Sequence, residues 1–120
     1  MIVYYSLSGN TKAFAKRFEK DDYSVLSIRN ADSINKPFVL FTPTYNFGEV
    51  PAPVERFLRK HSDNMAAVVS FGNMNWGEKY AAAGEKISAI YGVPLLLKVE
   101  LRGSDKEYEK VKELLADWRI

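Results

Sequence analysis

Ser6-Leu7-Ser8-Gly9-Asn10-Thr11 decides how the rest of the chain is read. Before it, residues 1–5 (Met-Ile-Val-Tyr-Tyr) form a short β-branched and aromatic run, as a buried strand would. After it, Phe14, Ala15 and Phe18 recur at helical spacing, with Lys12, Lys16, Arg17 and Glu19 on the opposite face. A strand, a tight polar turn and a helix start therefore follow one another within a few residues. Such a turn gathers main-chain N–H groups at the positive end of a helix dipole, which suits an anion. Ser6, Ser8, Asn10 and Thr11 add neutral donors, and Gly9 lets the backbone come close. The lysine of a nucleotide-hydrolase P-loop is missing and no G-x-G-x-x-G follows the strand, so a phosphate here would be held without charge. The plain alternative is an ordinary capped turn.

Outward from this turn, strands and helices alternate. Residues 23–28 are a second strand candidate, and the strongly apolar Phe38 to Thr42 a third. Only residues 29–36 separate them, which is short for a parallel crossover carrying a helix, so either the connection is coil or the register is displaced. A helix expected from Pro51 or Pro53 has Val54, Phe57, Leu58 and His61 on one face, His61 complementing the dipole at its end. Met65 to Ser70 is the fourth strand. Tyr80, Ala83, Gly84, Ile87 and Tyr91 mark the next helix, ended by Gly92 and Pro94. Val93 to Leu101 supply the fifth strand. Ser104 and Glu107 form a capping box for a last helix with the stripe Tyr108, Val111, Leu115 and Trp118, the tryptophan expected in the core.

This alternation predicts an α/β protein with a parallel sheet covered on both faces, whose ligands sit outside the carboxyl ends of the strands. Three unusual loops, after strands one, three and four, fall on that edge together. The second is residues 43–50 (Pro-Thr-Tyr-Asn-Phe-Gly-Glu-Val), with turn chemistry at Asn46 and Gly48; the third is residues 71–77 (Phe-Gly-Asn-Met-Asn-Trp-Gly).

Composition narrows the chemistry. The 120 residues suit one domain over the whole length, and 47% hydrophobic with 27% charged residues is the balance of a globular protein. With no Cys, disulfides and thiol redox chemistry are excluded, and the single His cannot build a multi-histidine metal site, so no metal ligands are expected. No apolar run approaches the roughly 18 residues of a membrane span, and no basic region precedes the first strand, so the expected location is the cytoplasm. A net charge of +2 without a block of like charges argues against a nucleic-acid face.

The first loop offers a phosphate seat; the others bring Tyr45, Phe47, Phe71 and Trp76 on loops instead of buried stripes. A flat conjugated ligand with one phosphate uses both, and flavin mononucleotide (FMN) has that shape. No nucleophile–base or carboxylate pair stands at the strand ends. Glu49 and Glu78 read as solvated helix-start acids, so no catalytic side chain is expected and a cofactor must carry any chemistry.

The Ser-x-Ser-Gly-Asn-Thr loop resembles the phosphate loop of flavodoxins. Together with residues 42–51 (Thr-Pro-Thr-Tyr-Asn-Phe-Gly-Glu-Val-Pro), 70–77 (Ser-Phe-Gly-Asn-Met-Asn-Trp-Gly) and the chain length, it resembles the NrdI family, flavodoxin-like activators of class Ib ribonucleotide reductase. The likeness covers essentially the whole chain, and Gly72 to Gly77 discriminate best. It implies a flavodoxin-like three-layer α/β/α sandwich with a five-stranded parallel sheet in the order 2-1-3-4-5. It also implies a reduced FMN that meets O2 and delivers superoxide or peroxide to the dimanganese small subunit of the reductase, with electrons from a separate reductant. Ser6, Leu7, Ser8, Gly9, Asn10 and Thr11 would hold the phosphate. Thr42, Pro43, Thr44, Tyr45, Asn46, Phe47 and Gly48 would line one side of the ring, the backbone at Asn46 and Phe47 facing flavin N5. Ser70, Phe71, Gly72, Asn73, Asn75, Trp76 and Gly77 would cover the pyrimidine end, with Phe71 or Trp76 as a stacking wall, or Phe71 as core. Family members often have Gly where Asn46 stands and Arg where Met74 stands. With few acids in the loops, the second reduction step is expected to be less negative than in acid-lined electron carriers. Two other readings are a short-chain flavodoxin acting as a one-electron carrier and a flavin-free module that docks a protein through its aromatic loops.

Overall fold

The computed structural model describes residues 1–46 and 48–118, Trp118 by its backbone alone. Phe47, expected at the ligand, and the Trp118 side chain, expected in the core, lie outside the described residues. Five strands, β1 (Ile2–Tyr4), β2 (Val25–Ser27), β3 (Phe38–Pro43), β4 (Met65–Gly72) and β5 (Leu95–Glu100), form one sheet in the order β2-β1-β3-β4-β5, every pair parallel. Four α-helices are interleaved: α1 (Asn10–Lys16), α2 (Ala52–His61), α3 (Ala82–Tyr91) and α4 (Asp105–Trp118). The expected strand order and three-layer architecture are those of the molecule.

Side-chain alternation along the strands divides the core in two. Ile2, Tyr4, Val39, Phe41, Ala67 and Val69 face α1 and α4, meeting Phe14, Phe18, Tyr108, Val111 and Leu115. Val3, Leu40 and Val68 point the other way, toward Val54, Phe57 and Leu58 of α2 and Ile87 of α3. The first layer is aromatic: Phe14 lies 5.3 Å from Phe71, 5.6 Å from Phe18 and 6.0 Å from Phe41, all at tilted or edge-on angles. Burying one such ring contributes about 1.5–3 kcal/mol, so this pile fixes α1 on the sheet.

Two connections depart from the plainest sequence reading. Between β2 and β3 the chain makes one 3₁₀ turn (Ile28–Asn30) and then coil, so the coil alternative holds and this crossover carries no α-helix. Ser27 Oγ accepts from the Arg29 N–H at 3.2 Å, and Asn64 Nδ2 donates to the Ile34 carbonyl at 2.9 Å, which pins the coil. The helix expected to include Tyr80 starts two residues later. A 3₁₀ stretch (Met74–Lys79) kinks at Gly77, and Ala81 takes a left-handed backbone (φ 49°) before α3 begins. The α4 capping box is present: Glu107 N–H donates to Ser104 Oγ at 3.1 Å and Ser104 N–H donates to Glu107 Oε1 at 2.9 Å. Among the described residues no helix is long and apolar enough to cross a membrane.

Candidate functional site

All three unusual loops reach the carboxyl edge of the sheet and enclose one open groove of about 280 Å³. Leu7, Ser8, Asn10 and Thr11 come from the first, Pro43, Thr44 and Asn46 from the second, and Phe71, Gly72, Asn73 and Trp76 from the third.

The first loop is shaped by Ser6. Its Oγ accepts from the N–H groups of Gly9 at 3.0 Å and Lys12 at 3.3 Å, so Ser6 folds the turn from within. Gly9 sits at the head of α1 with φ 94°, a conformation other residues rarely adopt. Gly9 itself has no side chain to cap the helix, and Ser6 reaches only the Lys12 N–H of its first turn. The N–H groups of Ser8, Asn10 and Thr11 have no hydrogen-bond partner among the described residues and stand at the positive end of α1. Neutral donors with spare capacity at a groove mouth can hold an anion.

The second loop is a tight reversal. Tyr45 and Glu49 exchange main-chain hydrogen bonds at 2.8 and 2.7 Å, which puts Asn46 (φ 46°) and Gly48 (φ 91°) at the tip. Asn tolerates that left-handed backbone better than other side-chain-bearing residues. Thr44 Oγ1 accepts from the Ala83 N–H at 3.3 Å, tying this loop to α3.

The third loop is braced over its first four residues past Phe71. Asn73 Oδ1 accepts from the Asn75 N–H at 2.9 Å, Glu100 Oε2 accepts from the Met74 N–H at 3.1 Å, and the Gly72 carbonyl accepts from the Leu101 N–H at 2.9 Å. Gly72 is required by close approach, since a Cβ there would lie 2.6 Å from the Ala81 nitrogen. Phe71 borders the groove but its ring is 2% exposed and stacked into the aromatic core, so it serves as the groove's floor, whereas Trp76 is 48% exposed.

Several expected site residues lie behind the lining instead of on it. Thr42 and Ser70 are fully buried; the Thr42 hydroxyl donates to the Pro43 carbonyl at 2.9 Å. The Ser70 hydroxyl donates to the Ala81 carbonyl at 2.7 Å and accepts from the Gly84 N–H at 2.9 Å, so it holds the Ala81 wall in place. Ser6, Gly9, Tyr45, Gly48, Asn75 and Gly77 shape the loops without lining the groove. Conversely, Lys79, Ala81 and Leu101 line it and are not among the site residues expected from the sequence. Ala81 and Leu101 share a left-handed backbone (φ 49° and 54°), a feature that no residue type announces. Lys79 brings a cation to the cavity, with no acid among its lining residues.

Large exposed apolar side chains gather at this edge. Leu7, Trp76 and Leu101 line the groove, Tyr45 and Met74 flank it in the same loops, and each is between 47 and 59% exposed. Such a rim is the usual mark of a protein-contact surface.

Residues 2–113 match the family described as NrdI Flavodoxin like. The chain is 49% identical over 119 residues to Protein NrdI of Macrococcus caseolyticus (strain JCSC5402), covering 95% of this chain and 90% of that protein. Among solved structures, oxidised Flavodoxin 1 from Bacillus cereus superposes with a TM-score of 0.74 at 20% identity, covering 98% of this chain and 94% of that one. Fusobacterium nucleatum flavodoxin bound to flavin mononucleotide does so with a TM-score of 0.62 at 16% identity, over 98% and 95% of the two chains. The structural likenesses speak to the fold, the sequence matches to descent: the chain belongs to the NrdI flavodoxin-like family.

Proposed function

We propose that the groove binds FMN and that the reduced protein supplies an oxygen-derived oxidant to the dimanganese small subunit of a class Ib ribonucleotide reductase. The observation that carries this reading is the groove's two-ended chemistry, with unpartnered N–H donors on the first loop and aromatic and amide walls on the other two. Those donors match a phosphate, and Pro43, Asn46 and Trp76, which line the same open groove, offer apolar and amide surface to a flat ring. Family membership and the flavin-bound flavodoxin of like fold support the same ligand.

When bound, FMN supplies the redox chemistry, its reduced form passing electrons to O2 to give superoxide or peroxide. The protein's own residues have other tasks. Ser8, Asn10 and Thr11 hold the phosphate through main-chain N–H groups and hydroxyl or amide donors. The main-chain carbonyl at Asn46 would accept from flavin N5 where it carries a proton. Lys79 offsets negative charge on the reduced ring. The exposed rim of Leu7, Tyr45, Met74, Trp76 and Leu101 docks the partner subunit and lets oxidant pass with little exposure to water.

The test is reconstitution. Purified protein mixed with FMN is expected to turn yellow and lose Trp fluorescence. Ser8→Asp, which sets a like charge at the phosphate seat, is expected to weaken binding at least about tenfold. The reduced, FMN-loaded protein with O2 should then generate tyrosyl radical in a manganese-loaded class Ib small subunit. A colourless protein unchanged by FMN would make it a flavin-free docking module. Tight FMN binding with a very low second potential and no radical would make it a one-electron carrier.

A further inference from the structure

Away from the flavin groove a second, larger depression of about 500 Å³ runs between α2 and the connection from β2 to β3, which has no α-helix. It exists because that crossover lacks the helix that ordinarily covers a sheet at this place. Its floor is apolar, made by Ile28, Ala31, Pro53 and Phe57, and its rim carries Arg29, Arg56, Arg59 and Lys60 against one carboxylate, Asp32. His61 closes one end, its ring 4.8 Å from that of Phe57. None of the four cations has a carboxylate within ion-pair distance among the described residues. The surplus of three positive charges here exceeds the +2 of the whole chain, so the rest of the chain is slightly acidic and positive potential is concentrated at this groove.

We infer that this groove is a docking site for a short acidic segment of a partner protein, one with an apolar residue among its carboxylates. Charge complementarity sets the sign of the occupant, and the floor sets its character. Phosphate alone has no use for Ile28 and Phe57, whereas a peptide side chain seated on them leaves neighbouring carboxylates beside the arginines. Arginine forks suit carboxylates in particular. Pro53, Arg56, Phe57 and Lys60 fall at i, i+3, i+4 and i+7, one face of α2 about 10 Å long, the span of roughly three extended residues. The opposite wall is fixed by the bonds at Ser27 and Asn64 already described, so the cleft is formed in advance. The inference stands independently of the flavin reading, since none of these residues lines the flavin groove.

The experiment titrates the full-length, FMN-treated protein with an end-blocked octapeptide that is acidic except for a central Leu-Phe pair. Saturable binding is expected, with amide resonance shifts confined to residues 28–32 and 54–61 and a strong loss of affinity on adding salt. Arg56→Glu with Arg59→Glu is expected to weaken it about tenfold or more, as is replacing Leu-Phe by Ser-Ser in the peptide. Both arginines are exposed, so an unfolding midpoint equal to the wild type separates lost docking from lost fold. No binding, binding unchanged in the double variant, or equal binding of the Ser-Ser peptide would each overturn the inference. So would displacement of the peptide by a short RNA duplex at a lower concentration than by unlabelled peptide, which would give the groove to nucleic acid.

Discussion

Lys79 places the one formal charge on the lining of the flavin groove, and its sign should tell in the electrochemistry. With FMN in the groove as proposed, Lys79→Glu is expected to make its second reduction step more negative by tens of millivolts, on the order of one surface charge–charge interaction. Spectroelectrochemical titration of wild type and variant checks it; equal potentials would remove Lys79 from the redox account. Ser70 illustrates the opposite kind of residue, one buried behind the groove's lining. Its buried hydroxyl serves both the Ala81 carbonyl and the Gly84 N–H, so Ser70→Ala strands two buried groups and should cost about 1–3 kcal/mol in urea unfolding. Why Ser70 was legible as a site residue and Lys79 was not is a matter of spacing. Ser70 adjoins the distinctive Gly72 to Gly77 motif, whereas Lys79 reads as an ordinary solvated helix position. Only the kink at Gly77 and the left-handed Ala81 turn it toward the groove.

Between elements, α4 is clamped to the end of α1 by Tyr108. Its hydroxyl donates to the Asp21 carboxylate, and the Arg17 guanidinium lies 4.3 Å from the ring centre while pairing with Asp105 at 2.7 Å. Burial first, then the hydrogen bond to Asp21, push the Tyr108 hydroxyl up to about 12 from its ordinary 10. The fold thus keeps a proton that the unfolded chain releases. The resulting stability is complete below pH 10 and is lost as pH rises from 10 toward 12. Tyr23 and Tyr80, also raised chiefly by burial, act in the same direction. Urea midpoints measured across this range should fall steeply for wild type and less steeply for Tyr108→Phe; parallel curves would refute the assignment. The elements themselves were mostly visible in the sequence, because apolar runs and caps such as Ser104 with Glu107 are local signals. The start of α3 was not, since the pattern from Tyr80 to Tyr91 is helical and the interruption comes from backbone angles at Gly77 and Ala81. The β2–β3 crossover was legible only as a length too short for a helix, not as the wall of a cleft.

At the scale of the molecule, the convergence of three loops follows from parallel strands alone, which is why the sequence already carries it. What a linear pattern could not convey is that the loops differ in office. The first provides donors, the second a reversal, the third a wall, and the residues directly behind them set the shape. Phe71 links this edge to the interior. It borders the groove while its ring stands 5.3 Å from Phe14 and 5.8 Å from Phe41, within the aromatic layer that also seats α4. A molecule lodged against Phe71 should therefore damp the breathing of that one layer. Deuterium uptake would slow along α1 and α4 and stay unchanged along the outward side of α2, so the sheet would insulate one half of the protein from news of what the other half holds.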